Sequence, residues 1–142
     1  MTKLPQLRKK TLCLHYSFLI IAALLCLLFA SRNTSPLYPG LVSDDAAIFL
    51  LIGRGMTRGY RLYADLFDHK GPILFFIQAL ASLSFPSKTG VFLLHALFCI
   101  LSLILLYHIA RLLVSPAKAF VCSLLSLIMY LMTFESGNLT ED

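Results

Sequence analysis

Charge is scarce in this chain, and that scarcity sets its class. Only 13% of its 142 residues are Asp, Glu, Lys or Arg, and seven of those are acidic. A soluble domain of this length needs far more polar surface to cover its core. With 58% hydrophobic residues and a mean hydropathy of +0.82, the composition is that of a multi-pass membrane protein. C-x-x-C spacing is also missing. Cys13, Cys26, Cys99 and Cys122 lie singly in apolar runs, which argues against a metal or redox motif and leaves them as small packing residues. Nor is there a basic stripe with interleaved aromatics, so the net charge of +5 does not read as a nucleic-acid surface. Lys3, Arg8, Lys9 and Lys10 instead suit a cytoplasmic anchor ahead of a first span.

What is there is long apolar runs. Residues 11–31 contain no charged side chain, and about 20 residues suffice to cross a bilayer. No A-x-A site precedes Ser31, so the segment reads as an uncleaved signal anchor. Residues 89–110 are a second span, and residues 119–134 a shorter third, with Lys118 able to snorkel to the interface. Residues 73–85 lie between Pro72 and Pro86. As a helix this segment reaches roughly 20 Å, against a hydrocarbon core of about 30 Å, so it is expected to be interfacial or re-entrant. The expectation is an all-α chain with three spans, a cytoplasmic N-terminus and an external loop over residues 32–88. That arrangement puts six Lys/Arg inside (Lys3, Arg8, Lys9, Lys10, Arg111, Lys118) and six outside (Arg32, Arg54, Arg58, Arg61, Lys70, Lys88). A fourth crossing at 73–85 would leave five inside and seven outside, a poorer fit to the positive-inside tendency.

The external loop holds most of the charge. Pro36, Pro39 and Gly40 suit a turn, and Ser43 suits the N-cap of a surface helix over residues 44–58. Asp44 and Asp45 then fall in its first turn, where carboxylates compensate the helix dipole. Arg54 and Arg58 share a face at i,i+4. The run Y60-R-L-Y-A-D-L-F-D-H-K-G-P72 gathers Asp65, Asp68, His69 and Lys70 between apolar segments. Tyr60 and Tyr63 fit an interfacial aromatic belt, and Lys70 an interface anchor. Asp65, Asp68 and His69 have a spacing that metal ligands can take, though in a loop it is a weak signal. Asn33-x-Ser35 and Asn138-x-Thr140 match the N-glycosylation pattern.

Taken in order, these elements resemble the N-terminal part of the GT-C membrane glycosyltransferases, in the bacterial branch related to protein O-mannosyltransferases and aminoarabinose transferases. The resemblance rests on the acidic pair Asp44-Asp45 after a first span, on the stretch Gly59-Tyr60 through Asp65 to Lys70-Gly71-Pro72, and on Glu141-Asp142 in "GNLTED". The family often has proline where this chain has Gly71. The likeness spans nearly the whole chain but a third or less of a typical member. It implies a sugar donor carried on a polyprenyl phosphate, an acceptor in the cell envelope, and chemistry on the external face of the plasma membrane.

That chemistry matches the residue types. A lipid phosphate is already a good leaving group and needs positive charge as its bond breaks. The acceptor hydroxyl needs a single carboxylate as general base. The resemblance therefore assigns Asp44 as base with Asp45 in support, Lys70 as phosphate contact with Arg58, Arg61 and Tyr63 beside it, and Glu141 and Asp142 to a divalent cation (Mg or Mn) or the acceptor. It implies an inverting transferase of which these 142 residues are a part, inactive alone. The rival reading is a small non-enzymatic membrane protein or subunit whose charges only set topology.

Overall fold

The computed structural model describes residues 3–85, 88–134 and 137. They form five helices: α1 (Lys3–Ala30), α2 (Asp44–Thr57), α3 (Pro72–Ser84), α4 (Lys88–Leu113) and α5 (Pro116–Thr133). Among the described residues no strand forms, only an isolated bridge between Leu62 and Leu66. The all-α class is as the sequence leads one to expect. Three helices are long and apolar enough to cross a membrane: Lys9–Ala30 of α1, and all of α4 and α5. α5 begins earlier than the expected residue 119 because Pro116 opens it. Proline is well suited to a first helical position, where its missing N–H has no intrahelical role.

The chain divides into two compact units, Met1–Cys26 with Ala96–Met132, and Leu27–His95 with Thr133–Asp142. The first is a three-helix bundle. Its core holds Leu19 against Tyr107 and Ala119, and Ala23 against Leu103 and Leu127. Advancing along α1 from 19 to 23 takes the α4 partner back from 107 to 103 and the α5 partner forward from 119 to 127. α1 and α4 therefore run antiparallel, and α1 and α5 parallel. Buried Ala23, Ala119 and Ser123 keep the backbones close, as small residues do in membrane helix pairs. Two polar pairs link α1 to α4. The Tyr107 hydroxyl lies 3.0 Å from His15 Nδ1, and the Tyr16 hydroxyl 2.6 Å from His108 Nε2.

The second unit is built on α2 and α3. Phe49 and Ile52 close on Phe75, while Leu50 closes on Ala81 and Val91. The two helices meet at Gly53. A Cβ there would stand 2.5 Å from Gln78 Cβ and 2.6 Å from its carbonyl carbon, so any side chain would push on the α3 backbone. Local chemistry sets the helix ends. α2 stops where Arg58 and Gly59 donate back to Gly55 and Met56, with Gly59 at φ +93°, the left-handed stop that glycine provides. α3 starts at Pro72 behind Gly71.

Candidate functional site

The candidate residues fall into two groups, each held by its own hydrogen bonds. The first surrounds the start of α2. Here α1 ends in a polar knot in which Ser31, Asn33, Thr34 and Ser35 are all fully buried. The Ser35 hydroxyl donates to the Leu28 carbonyl at 2.7 Å and the Tyr38 hydroxyl to the Phe29 carbonyl at 2.7 Å. Both satisfy last-turn carbonyls that have no partner within the helix. The Ser31 and Thr34 hydroxyls hydrogen-bond each other.

Asn33 is the centre of this group. Its Oδ1 accepts from Val42 N at 2.7 Å and Ser43 N at 3.1 Å, and its Nδ2 donates to the Gly137 carbonyl at 2.9 Å. One carboxamide thus ties the segment entering α2 to the segment beyond α5. The glycosylation pattern at Asn33 has no bearing in this fold, because the nitrogen is buried and in use. The pattern at Asn138 lies outside the described residues.

Ser43 does occupy the N-cap position, with extended backbone at φ −112° and ψ 137°, but its side chain makes no capping bond. That corrects the expected cap. Asn33 orders Ser43 from the amide side, and the Ser43 carbonyl accepts from Ala47 N at 3.3 Å. Asp44 and Asp45 follow in the first turn, both exposed. Their carboxylates have no hydrogen-bond or ion-pair partner among the described residues. Lys88 closes the group, donating from Nζ to the carbonyls of Tyr38 and Gly40, the latter at 2.8 Å.

The second group is the loop from 60 to 72. Asp65 receives Arg61 N at 2.8 Å and Arg61 Nε at 3.3 Å. These bonds from Arg61 hold the Asp65 carboxyl below its ordinary pKa. Tyr63 N donates to the Leu66 carbonyl at 2.6 Å, and the Tyr63 hydroxyl to the Lys70 carbonyl at 2.6 Å. Asp68 Oδ1 accepts from Lys70 N at 3.0 Å. The turn forces Tyr63 to φ +66°, a region that bulky residues rarely enter and that costs roughly 1–3 kcal/mol. Arg61 and Tyr63 are therefore clasps of the loop that presents Lys70. Arg58, at the C-terminal cap of α2, is exposed.

Among the described residues, no three His, Cys, Asp or Glu side chains come together to hold a metal ion. Asp65 and Asp68 instead serve the loop itself. Glu141 and Asp142, the expected cation or acceptor contacts, lie outside the described residues. Sequence reasoning missed the roles of Asn33 and Lys88. The only signal for the first is the cluster Ser31, Asn33, Thr34, Ser35 directly after a span. In comparison with known proteins, no family model matches the chain, and neither a curated protein nor a solved structure matches it.

Proposed function

We propose that this chain is the N-terminal part of a membrane glycosyltransferase that takes a sugar from a polyprenyl-phosphate donor and delivers it, with inversion, to a hydroxyl of an envelope acceptor. The observation that carries the reading is the Asn33 tie. A single buried carboxamide anchors both the segment that leads into Asp44-Asp45 and the segment that leads toward Glu141-Asp142. In the proposed reaction, Asp44 takes the proton of the acceptor hydroxyl as its oxygen bonds to the sugar's anomeric carbon. The bond from that carbon to the phosphate oxygen breaks, and Lys70 offsets the charge left on the lipid phosphate. The exposed carboxylate of Asp44, with no partner among the described residues, suits a base that must meet an incoming acceptor. The loop bonds from Tyr63 and Asp68 suit the fixed presentation of Lys70.

The test is sugar transfer from a labelled polyprenyl-phosphate sugar in membranes carrying the complete transferase, with protein level checked by blot. Asn keeps the size of Asp but cannot take the proton. Asp44→Asn is expected to lower transfer by about 10²-fold or more, with Asp45→Asn milder. Lys70→Ala is expected to cost about ten- to a hundred-fold, the scale of one charge-assisted contact. Parental rates in both Asp44→Asn and Lys70→Ala return these residues to helix-dipole compensation and interface anchoring, and favour the non-enzymatic reading.

A further inference from the structure

The bundle holds a second cationic feature, at the end where α1 begins, α4 ends and α5 begins. A cavity of about 470 Å³ opens there, lined by Thr11, Leu12, Tyr107, His108, Arg111, Leu112 and Pro116. Arg111 brings a guanidinium whose Nε is buried and has no hydrogen-bond partner among the described residues. A buried donor of this kind is costly to leave unmade, and the guanidinium fork matches a phosphate in geometry and charge. Pro116 sets the N-terminus of α5 on the cavity wall, the end at which a helix favours an anion. Leu12, Leu112 and Pro116 supply an apolar lining beside the cation. The Tyr107 and His108 side chains are already engaged, with His15 and Tyr16, so the walls are held in place before any ligand arrives. Exposed Lys9, Lys10 and Lys118 belong to the same helix ends. By the positive-inside tendency these ends face the cytoplasmic leaflet, where anionic lipids are concentrated.

We propose that this cavity binds the phosphate of an anionic phospholipid, with Arg111 as the phosphate ligand and the leucines against the start of the acyl chains. The site shares no residue with the proposed sugar-transfer site, and the proposal does not depend on that reading. Native mass spectrometry of the chain released from mixed bilayers of phosphatidylglycerol and phosphatidylcholine tests it. The wild-type chain is expected to retain phosphatidylglycerol in preference to phosphatidylcholine. Arg111→Gln is expected to lose that adduct by about tenfold or more. Lys118→Gln should keep it. A third arm adds inorganic phosphate, which should not displace the lipid. Equal retention of the two lipids by the wild-type chain overturns the proposal without any variant. Undiminished phosphatidylglycerol in Arg111→Gln overturns the assignment of Arg111. Displacement by inorganic phosphate makes the cavity a free-phosphate site and overturns the lipid assignment.

Discussion

The two units of this chain treat polar groups in opposite ways. In the helical bundle the outer surface is apolar, with Phe18, Leu25, Phe98, Leu105 and Met129 exposed. Only 17%, 28% and 17% of an 18-residue apolar stretch in each of the three candidate spans is buried within the protein. Such helices are stable where the surroundings are lipid, because each satisfies its own backbone and needs no apolar cover. In the loop unit a buried polar cluster stands beside the apolar contacts of α2 and α3. Ser31, Asn33, Thr34, Ser35 and Gln78 are buried, and the serine, asparagine and threonine side chains hydrogen-bond to backbone or to each other. Irregular backbone leaves amides and carbonyls without helical partners, and buried side chains must satisfy them. The bundle is therefore expected to tolerate apolar exchange and to reject charge. The loop unit is expected to tolerate surface charge and to reject loss of a buried amide.

The largest expected effect breaks the bundle. Leu101 is exposed near the middle of α4, and Leu101→Asp should disfavour membrane insertion by about 3 kcal/mol. Resistance of the chain to alkaline extraction measures it. Phe67→Asp, on an exposed loop side chain of the other unit, should leave extraction unchanged. If both behave alike, the units do not differ in surroundings.

A smaller effect sharpens the loop unit. Asn33→Ala orphans the amides of Val42 and Ser43 and the carbonyl of Gly137. It should lower stability by about 1–3 kcal/mol, read as a drop in Tm of the detergent-purified protein. Asn33→Asp keeps the two acceptor bonds and should recover part of the loss. An unchanged Tm in Asn33→Ala would remove the tie on which the proposed function rests.

The smallest effect is electrostatic. The Asp65 carboxyl has a folded pKa depressed by Arg61. Its contribution is present above the unfolded value of about 3.9 and is lost as the pH falls through the lower folded value. Because the pair is at the surface, the change is local. The Arg61 amide signal by NMR should shift only below about pH 4, and Arg61→Gln should return the midpoint toward 3.9. A midpoint already at the ordinary value in the wild type would remove the pair.

How much of this was legible in the sequence depends on the range of the interactions. The helices were legible because each is a local property: an uncharged run of spanning length for α1 and α4, and a proline opening α3. The start of α2 was legible in Asp44-Asp45, whereas the stop at Gly59 was not read. The role of Asn33 was not. Its partners stand nine, ten and 104 residues away, and no periodicity records such a meeting. Lys88 read as one more external charge, and the fold makes it a clasp on Tyr38 and Gly40 for the same reason. Arg61 and Tyr63 were noticed as residues of interest, but the bonds that turn them into supports for Lys70 need the backbone turn at Tyr63, which no residue type in the run demands.

The most direct test of the account is which side of the membrane each turn occupies. The proposed topology, three crossings from a cytoplasmic N-terminus, puts the loop that carries the candidate site outside and the turn between α4 and α5 inside. Single cysteines placed by Arg58→Cys and by Lys118→Cys, with Cys13, Cys26, Cys99 and Cys122 replaced by serine, can be probed in intact cells with a membrane-impermeant thiol reagent. Both positions are exposed. The account predicts labelling at 58 in intact cells and at 118 only after permeabilisation. Labelling at 118 in intact cells, with 58 protected, would contradict it.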